Sequence, residues 1–292
     1  MSSLRAGTPT VLHFIAAFAS LTLLAQAGDT YHALDGAAAW PTNNDAQWVY
    51  GSTPTLGGSF TPFDQANRRA DFYTMNAYQY SSAAFPGNYP IIAFNTTTNL
   101  LTFSSGQFQI PGQTVDMECG ANGTYAVARF LVPVTGQYQV SGKFLGLEGP
   151  SAVAPPGTRT DVHLLRNSAS GLFDEMVIGQ FTEKSFSLVL PLNQGESLDF
   201  AVGYGDGSYG NFGDATGLSA TIVLLPILSI ASGNPPALSW PTNATGFFLE
   251  SATNLPPAGS WIRFPATATV VGINFVITNA GTEPQRFFRL AE

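Results

Sequence analysis

Charged side chains are scarce in this chain, and basic ones are scarcer than acidic ones. Asp, Glu, Lys and Arg make up 10% of the 292 residues, and the formal net charge is −8. An average soluble protein has about 25% charged residues. Proteins that bind nucleic acids or anionic membrane surfaces need clustered Lys and Arg. The composition therefore argues against both kinds of partner and leaves Thr, Ser, Asn, Gln and Gly to form the polar surface.

Cysteine and histidine are nearly absent as well. Cys119 is the only cysteine, so no internal disulfide can form and stability has to come from an apolar core. We expect Cys119 to be a small buried side chain, with pairing between two chains as the alternative. Zinc is disfavoured because no cluster of His and Cys has ligand spacing. A serine hydrolase is not indicated either, since the chain has no G-x-S-x-G elbow.

Residues 1–27 have the pattern of a secretory signal peptide. Arg5 is the only charge before an apolar run over residues 11–24, and Ala25-Gln26-Ala27 offers a cleavage site before Gly28. The run is shorter than the roughly 20 residues that span a bilayer, and no second long run follows. An uncleaved membrane anchor is the alternative. We therefore expect an exported protein, secreted or at the cell surface, with no transmembrane segment after cleavage.

The stretch from Gly123 to Gly146 gives the clearest structural pattern. Apolar side chains occupy every second position from Ala126 to Val132 and again from Tyr138 to Phe144, and a Pro133–Gly136 turn separates the two runs. A period of two interrupted by Pro and Gly predicts two antiparallel strands with one buried face.

Similar alternation continues through residues 160–165, 185–190, 197–202 and 218–223, with no helical pattern between these segments. Strands at this spacing predict an antiparallel sandwich over residues 28–226. Six side chains should fill its core: Phe130, Val140, Phe144, Leu188, Phe200 and Ile222. Residues 227–292 contain six or seven further short strands and predict a second, smaller sandwich.

The motifs of both parts carry a resemblance. Residues 29–223 resemble the jelly-roll domain of many exported bacterial proteins in DTYHALDG, WVYG (48–51), ARFLVPVTGQYQVSGKF (128–144), TDVHLLRN (160–167), QGESLDFAVG (194–203) and GDATGLSATI (213–222). Residues 227–292 are similar to a fibronectin type III or immunoglobulin-like module in LSWP (238–241), FFLESATNL (247–255) and QRFFRL (285–290). Because jelly rolls of this outline include carbohydrate-binding modules, the resemblance implies sugar binding.

One loop combines aromatic and polar side chains, the stretch YGDGSYGNFGD from Tyr204 to Asp214. Tyr204 and Tyr209 offer flat apolar faces for sugar rings, and Asn211 offers an amide for their hydroxyls. Asp206 and Asp214 are candidate Ca²⁺ ligands together with backbone carbonyls, although the spacing is not that of an EF-hand. A hairpin loop whose tyrosines cover the sandwich edge is the alternative.

Two arrangements could support catalysis. Asp161 and His163 share a strand face and would form a dyad or two metal ligands, unless that face is simply solvated. Glycoside hydrolysis needs two carboxylates about 5–10 Å apart, and six are candidates: Glu175, Glu183, Glu196, Asp199, Asp206 and Asp214.

The sequence as a whole favours a non-catalytic exported protein. We expect its larger sandwich to bind a polysaccharide or another extracellular polymer, and its smaller one to act as a spacer or attachment module. A structural surface or matrix protein that contacts cell-surface proteins is the first alternative, and a glycan-cleaving enzyme the second.

Overall fold

The computed structural model describes residues 28–39, 42–43, 45–68, 77–81, 90–120, 123–207, 213–233, 236–242, 244, 246–254, 261–278 and 286–291. Its regular structure is β-strand, apart from 3-10 turns at Asp35–Ala39 and Ser104–Gly106. The all-β prediction is confirmed. Within the described ranges, no helix has the length and hydropathy needed to cross a bilayer. The predicted signal peptide lies outside these ranges.

In the described ranges, sixteen strands precede Pro226. They are β1 (Thr30–His32), β2 (Trp48–Thr53), β3 (Thr61–Pro62), β4 (Gln65–Arg68), β5 (Ala77–Ser81), β6 (Ile91–Asn95), β7 (Leu101–Phe103), β8 (Phe108–Ile110), β9 (Thr114–Glu118), β10 (Tyr125–Leu131), β11 (Gly136–Gly146), β12 (Arg159–Arg166), β13 (Ser170–Ile178), β14 (Glu183–Leu192), β15 (Ser197–Val202) and β16 (Ala215–Leu224).

Two antiparallel sheets form the larger sandwich. The first, sheet A, has the order β14-β11-β16-β9-β6-β5-β4, with β1 also paired to β16. The second, sheet B, has the order β13-β12-β15-β10-β2-β3. Strands that are far apart in the chain lie side by side, as in a jelly roll, because each sheet receives strands from both halves of the sequence. A short hairpin of β7 and β8 lies outside both sheets.

The predicted core is confirmed with one exception. Phe130, Val140, Phe144, Phe200 and Ile222 are fully buried between sheets A and B. The exception is Leu188, which is only partly buried because its strand, β14, lies at the edge of sheet A.

The connection between β10 and β11 differs from the sequence-based expectation of a directly paired couple. Both strands form, but β10 lies in sheet B between β15 and β2, and β11 lies in sheet A between β14 and β16. The turn from Pro133 to Thr135 therefore crosses from one sheet to the other. Alternation in both strands arises because each presents its apolar face to the same core from opposite sides.

Two smaller sheets follow Pro226. Their strands are β17 (Ser229–Ala231), β18 (Ala237–Pro241), β19 (Phe248–Ala252), β20 (Ile262–Arg263), β21 (Thr269–Val271), β22 (Asn274–Thr278) and β23 (Phe287–Ala291). The orders are β17-β18-β22-β21 and β20-β19-β23, all antiparallel. Leu238, Trp240, Leu249 and Ile277 are buried between them, whereas Trp261 is half-buried under Arg289 at 4.6 Å.

Truncation of a central ring tests the packing of the larger sandwich. Phe144 lies 6.1 Å from Phe173 and 5.9 Å from Phe186, centroid to centroid. Phe144→Ala should therefore lower the free energy of unfolding by about 3–5 kcal/mol. Val189→Ala is the control, since Val189 is 61% exposed, and should change it by less than about 0.5 kcal/mol. Urea denaturation followed by circular dichroism measures both, and equal losses would contradict the packing described.

Candidate functional site

The loop predicted as the binding site begins where β15 leaves sheet B. Tyr204 is half-buried and lies between two glycines on neighbouring segments. A Cβ at Gly123 would lie 3.1 Å from its Cε1, and one at Gly207 would lie 3.1 Å from its Cε2. Both glycines have positive φ angles, 85° and 71°, which side chains rarely adopt. Neither neighbour therefore places a side chain against the ring, and part of the phenol stays accessible.

The Asp161 carboxylate fastens the start of this loop to β12. Its Oδ1 accepts a hydrogen bond from the Gly205 amide at 2.7 Å, and its Oδ2 accepts one from the Tyr125 hydroxyl at 2.6 Å. Burial alone would raise the pKa of Asp161, but hydrogen bonds from His163, Tyr125 and Gly205 together lower it. Burial and the Asp161 carboxylate raise the pKa of Tyr125. The loop base is thus a rigid, hydrogen-bonded frame.

Asp161 and His163 do share a strand face, but that face is not solvated. His163 Nε2 lies 2.8 Å from Asp161 Oδ2, and its Nδ1 lies 3.3 Å from Asp174 Oδ1. Only 8% of the His163 side chain is exposed. The alternation in β12 could not reveal this burial, since two of the contacting side chains, Asp174 and Tyr125, come from other strands. Asp161 acts here through Gly205 and Tyr125, as a positioning residue.

The two predicted calcium ligands have different surroundings. Asp206 is exposed, and Arg159 holds it in a bidentate pair at 3.0 and 2.5 Å. Asp214 is buried, and its Oδ2 lies 4.0 Å from Cys119 Sγ. In the described part of the chain, no group of three or more His, Cys, Asp and Glu side chains is placed to hold a metal ion. Calcium at Asp206 and Asp214 stays a prediction, and melting with and without chelator tests it.

Cys119 is confirmed as a buried, unpaired thiol. Burial, reinforced by the charges of Asp214 and Asp161, raises its pKa. A buried thiol with a raised pKa is a poor nucleophile and is not accessible to a second chain.

Tyr209 and Asn211 fall outside the described residues, so their assignment to the site stays a prediction.

Three carboxyl groups lie at this end of the sandwich, and only Asp214 among them was singled out from the sequence. Asp214 and Glu118 are buried, and Glu148 is half-buried. Glu118 lies at the end of β9, and Glu148 accepts a hydrogen bond from the Ala215 amide at 3.1 Å. The β7–β8 hairpin covers this region, and Phe108 forms a bridge with Glu148. Burial, together with Glu118, raises the pKa of Glu148 to about 7 despite hydrogen bonds from backbone amides. Burial and the charges of Glu118 and Glu148 raise the pKa of Asp214 as well.

The carboxylates proposed for glycoside hydrolysis are mostly neutralised by ion pairs. Five of the six candidates bond a Lys or Arg: Glu175 with Lys184, Glu183 with Lys143, Glu196 with Arg166, Asp199 with Arg129 and Asp206 with Arg159. The pKa of Glu196 is lowered to about 2, first by Arg166. A carboxyl group that acts as a general acid needs a raised pKa, whereas a neighbouring Lys or Arg favours the ionised carboxylate. These five ion pairs therefore indicate structural roles.

No protein-family model matches the sequence, and no curated protein matches it significantly. Solved structures that it is similar to include carbohydrate-binding modules. The CBM51 from Clostridium perfringens GH95, solved with methyl-galactose, shares 12% identity over 55% of this chain and 100% of its own, with a TM-score of 0.31. The CBM22-1 xylan-binding domain from Paenibacillus barcinonensis Xyn10C shares 11% identity over 69% of this chain and 97% of its own, with a TM-score of 0.30.

A family 35 carbohydrate binding module from Clostridium thermocellum shares 16% identity over 42% of this chain and 85% of its own, with a TM-score of 0.25. At these TM-scores the likeness assigns no ligand and no residue role to this chain. The fold itself defines an all-β protein of stacked antiparallel sheets.

The carboxyl groups at the loop end predict an unusual pH dependence of stability. Glu148 binds a proton up to about pH 7 when folded, but only to about pH 4.5 when unfolded. The folded state therefore holds the extra proton, and the free energy of unfolding should fall by up to about 3 kcal/mol as pH rises through this window. The raised pKa of Asp214 acts in the same direction.

Glu148→Gln tests this. The variant keeps an oxygen for the Ala215 amide and removes the titration, so its melting temperature should exceed that of the wild type at pH 8 and match it near pH 4.5. Glu175→Gln is the control, because it removes an equal charge at an exposed ion pair. Calorimetric scans across this range should show parallel curves for the control and the wild type. A Glu148→Gln curve parallel to these would contradict the assignment.

Proposed function

We propose that this chain is an exported, non-catalytic protein that binds an extracellular glycan through the loop end of its larger sandwich. The observation that carries the proposal is the setting of Tyr204. Its ring is half-buried, flanked by two glycines, and placed on a loop that is fixed at its base. Sugars bind to aromatic faces because one side of the sugar ring is apolar, and nearby polar groups then orient the hydroxyls.

Rigidity at the loop base supports binding rather than edge cover alone. The Gly203 amide bonds the Asp161 carbonyl at 2.9 Å, and the Gly205 amide bonds its carboxylate at 2.7 Å. The Arg159 amide bonds the Gly213 carbonyl at 2.7 Å, so both ends of the loop are tied to β12. A preorganised loop loses little conformational entropy when a ligand binds.

Local charge indicates what kind of glycan fits. Arg159, the cation beside this loop, is held by Asp206. Asp161 and Asp174 add acidic groups nearby. Uronic acids or sulfated sugars would be repelled. A neutral glycan fits the site best.

The smaller sandwich has a feature that favours the attachment role. Its edge strand, β21, exposes Val270 and Val271 at 64% and 60%, and Ile273 in the next turn is 79% exposed. Exposed apolar side chains on a sheet edge are typical of contact surfaces. This supports the attachment role of the smaller sandwich, and the same surface would serve the structural alternative, in which the protein contacts other surface proteins.

Substitution of Tyr204 tests the glycan site. Tyr204→Ala should weaken binding to a neutral polysaccharide at least about tenfold, or about 1.4 kcal/mol, because the apolar face is lost. Tyr204→Phe should stay within about threefold, since it loses only the hydroxyl. Phe181→Ala is the control, because Phe181 is exposed, at 46%, on a different loop. Affinity electrophoresis and calorimetry on the purified full-length secreted chain measure the effect.

Three other outcomes would redirect the proposal. Binding that Tyr204→Ala leaves unchanged would exclude this loop as the site. No binding across a panel of neutral and acidic polysaccharides would favour the structural alternative. Release of new reducing ends from a bound polysaccharide would favour the enzyme.

A further inference from the structure

A groove on the outer face of sheet A lies where two strands pair, one after the other, with the same edge of a third strand. Both β9 and β1 pair with the same edge of β16: β9 along residues 215–218 and β1 along residues 221–223. The Ala33 amide continues the β1 ladder to the Ala220 carbonyl at 2.9 Å. The two strands therefore meet end to end opposite Ser219 and Ala220. The sheet is interrupted there, and the interruption leaves a depression.

The depression consists of two adjoining hollows of about 490 and 280 Å³. Both are lined by His32, Leu34 and Gln113, so they form one continuous groove. Asp35 lines the larger hollow, and Ser219 and Thr221 line the smaller one. Small-molecule sites commonly have about 300–1,000 Å³, so the groove is large enough for a ligand.

His32 is held in position on one wall. Its backbone amide donates to Asp35 Oδ2 at 2.6 Å, and its ring Nδ1 lies 3.2 Å from the Thr221 hydroxyl. Because Nδ1 is engaged, Nε2 is the ring atom left for a ligand. Within the described ranges, Nε2 has no hydrogen-bond partner.

Gln113 forms the opposite wall in a strained conformation. Its φ is 60°, an unfavourable value for a side chain other than glycine or asparagine. Its backbone amide bonds the Thr97 carbonyl at 2.9 Å, and its Nε2 donates to the Thr96 and Thr97 carbonyls at 2.6 and 3.1 Å. Three hydrogen bonds thus hold the residue rigidly, with the amide oxygen Oε1 left as an acceptor. The turn between β8 and β9 thus fixes the direction in which the Gln113 side chain leaves the backbone.

We propose that this groove is a second saccharide site, which takes one uncharged, hydroxyl-rich sugar unit. The lining offers His32 Nε2, Gln113 Oε1, the Asp35 carboxylate and two hydroxyls, a set dominated by acceptors that suits a ligand with many hydroxyl donors. Leu34 and Ala37 supply an apolar wall for the ring carbons. No Lys or Arg is among the described lining residues, and Asp35 repels anions. The site shares its ligand class with the proposed function but does not depend on Tyr204.

The two histidines of the mature chain report on the two sites separately. His32 lies in the groove, whereas His163 bonds Asp161 at the base of the Tyr204 loop. Titration of the ¹³C-labelled, secreted full chain with methyl glycosides of glucose, galactose and N-acetylglucosamine, at fixed pH, should shift the His32 ring signals saturably. Galacturonate should bind more weakly than methyl galactoside.

Variants of the groove sharpen the test. Gln113→Gly should weaken the binding reported by the His32 ring about three- to tenfold, as expected for one or two lost hydrogen bonds. His32→Ala has no reporter ring, so its similar loss is measured by calorimetry in the Tyr204→Ala background. Gln113→Gly also relieves the backbone strain and should leave the fold intact. Gln139→Ala, an exposed glutamine elsewhere on the same sheet, should change nothing.

The outcomes separate this site from the loop site. Shifts at His32 that persist in Tyr204→Ala support the groove. Shifts confined to His163 would support the loop site and overturn the groove. No saturable shift at His32 with any of the sugars, or equal affinity in Gln113→Gly and the wild type, would also overturn it.

Discussion

The structure depends on a row of aromatic rings that joins the two sheets of the larger sandwich. Trp48 contacts Phe130 at 5.3 Å and Phe200 at 5.8 Å within the face of sheet B. Phe200 contacts Phe186 of sheet A at 5.8 Å, and Phe186 contacts Phe144 at 5.9 Å. Large rings that interlock across the interface fix the spacing of the sheets, since tilted aromatic pairs add to the apolar area that they bury. Without an internal disulfide, this packing has to hold the sheets together.

The ion pairs and carboxyl groups described above lie on the outer faces and at the strand ends. On the outer face of sheet B, Arg129 pairs with Asp199 at 2.7 Å and lies over the ring of Phe60 at 4.0 Å. There a cation balances the carboxylate, and the result is a structural tie. At the loop end, by contrast, burial and repulsion between neighbouring carboxyl groups raise the pKa of Glu148 and of Asp214. That end of the sandwich therefore gives up stability at neutral pH, which the core has to offset.

Much of the fold could be predicted from the sequence, because alternation along a strand depends on one buried face and little else. The partners of each strand could not, since β10 and β11 show the same pattern whether they pair with each other or face each other across the core. β1 escaped prediction because three residues are too short to show a period. Glu148 and His163 look like surface residues in sequence. The β7–β8 hairpin partly covers Glu148, and side chains from other strands, Asp174 and Tyr125, enclose His163.

The candidate site remains a prediction. Composition singled out the loop after β15 and Tyr204 as a candidate, because aromatic, glycine and polar residues concentrate there. It could not identify Gly123, which flanks the same ring from a different segment, or the groove between His32 and Gln113, which lie far apart in sequence and meet only through β16. Both candidate sites lie where strands end: the loop site follows the end of β15, and the groove lies between the ends of β1 and β9. Side chains rather than paired backbone groups are available for contacts there. Arg159 is paired with Asp206 at one candidate site, and Asp35 is the charged group at the other. The remaining described groups can contact a ligand through hydrogen bonds and apolar faces, which are the interactions that a neutral sugar offers.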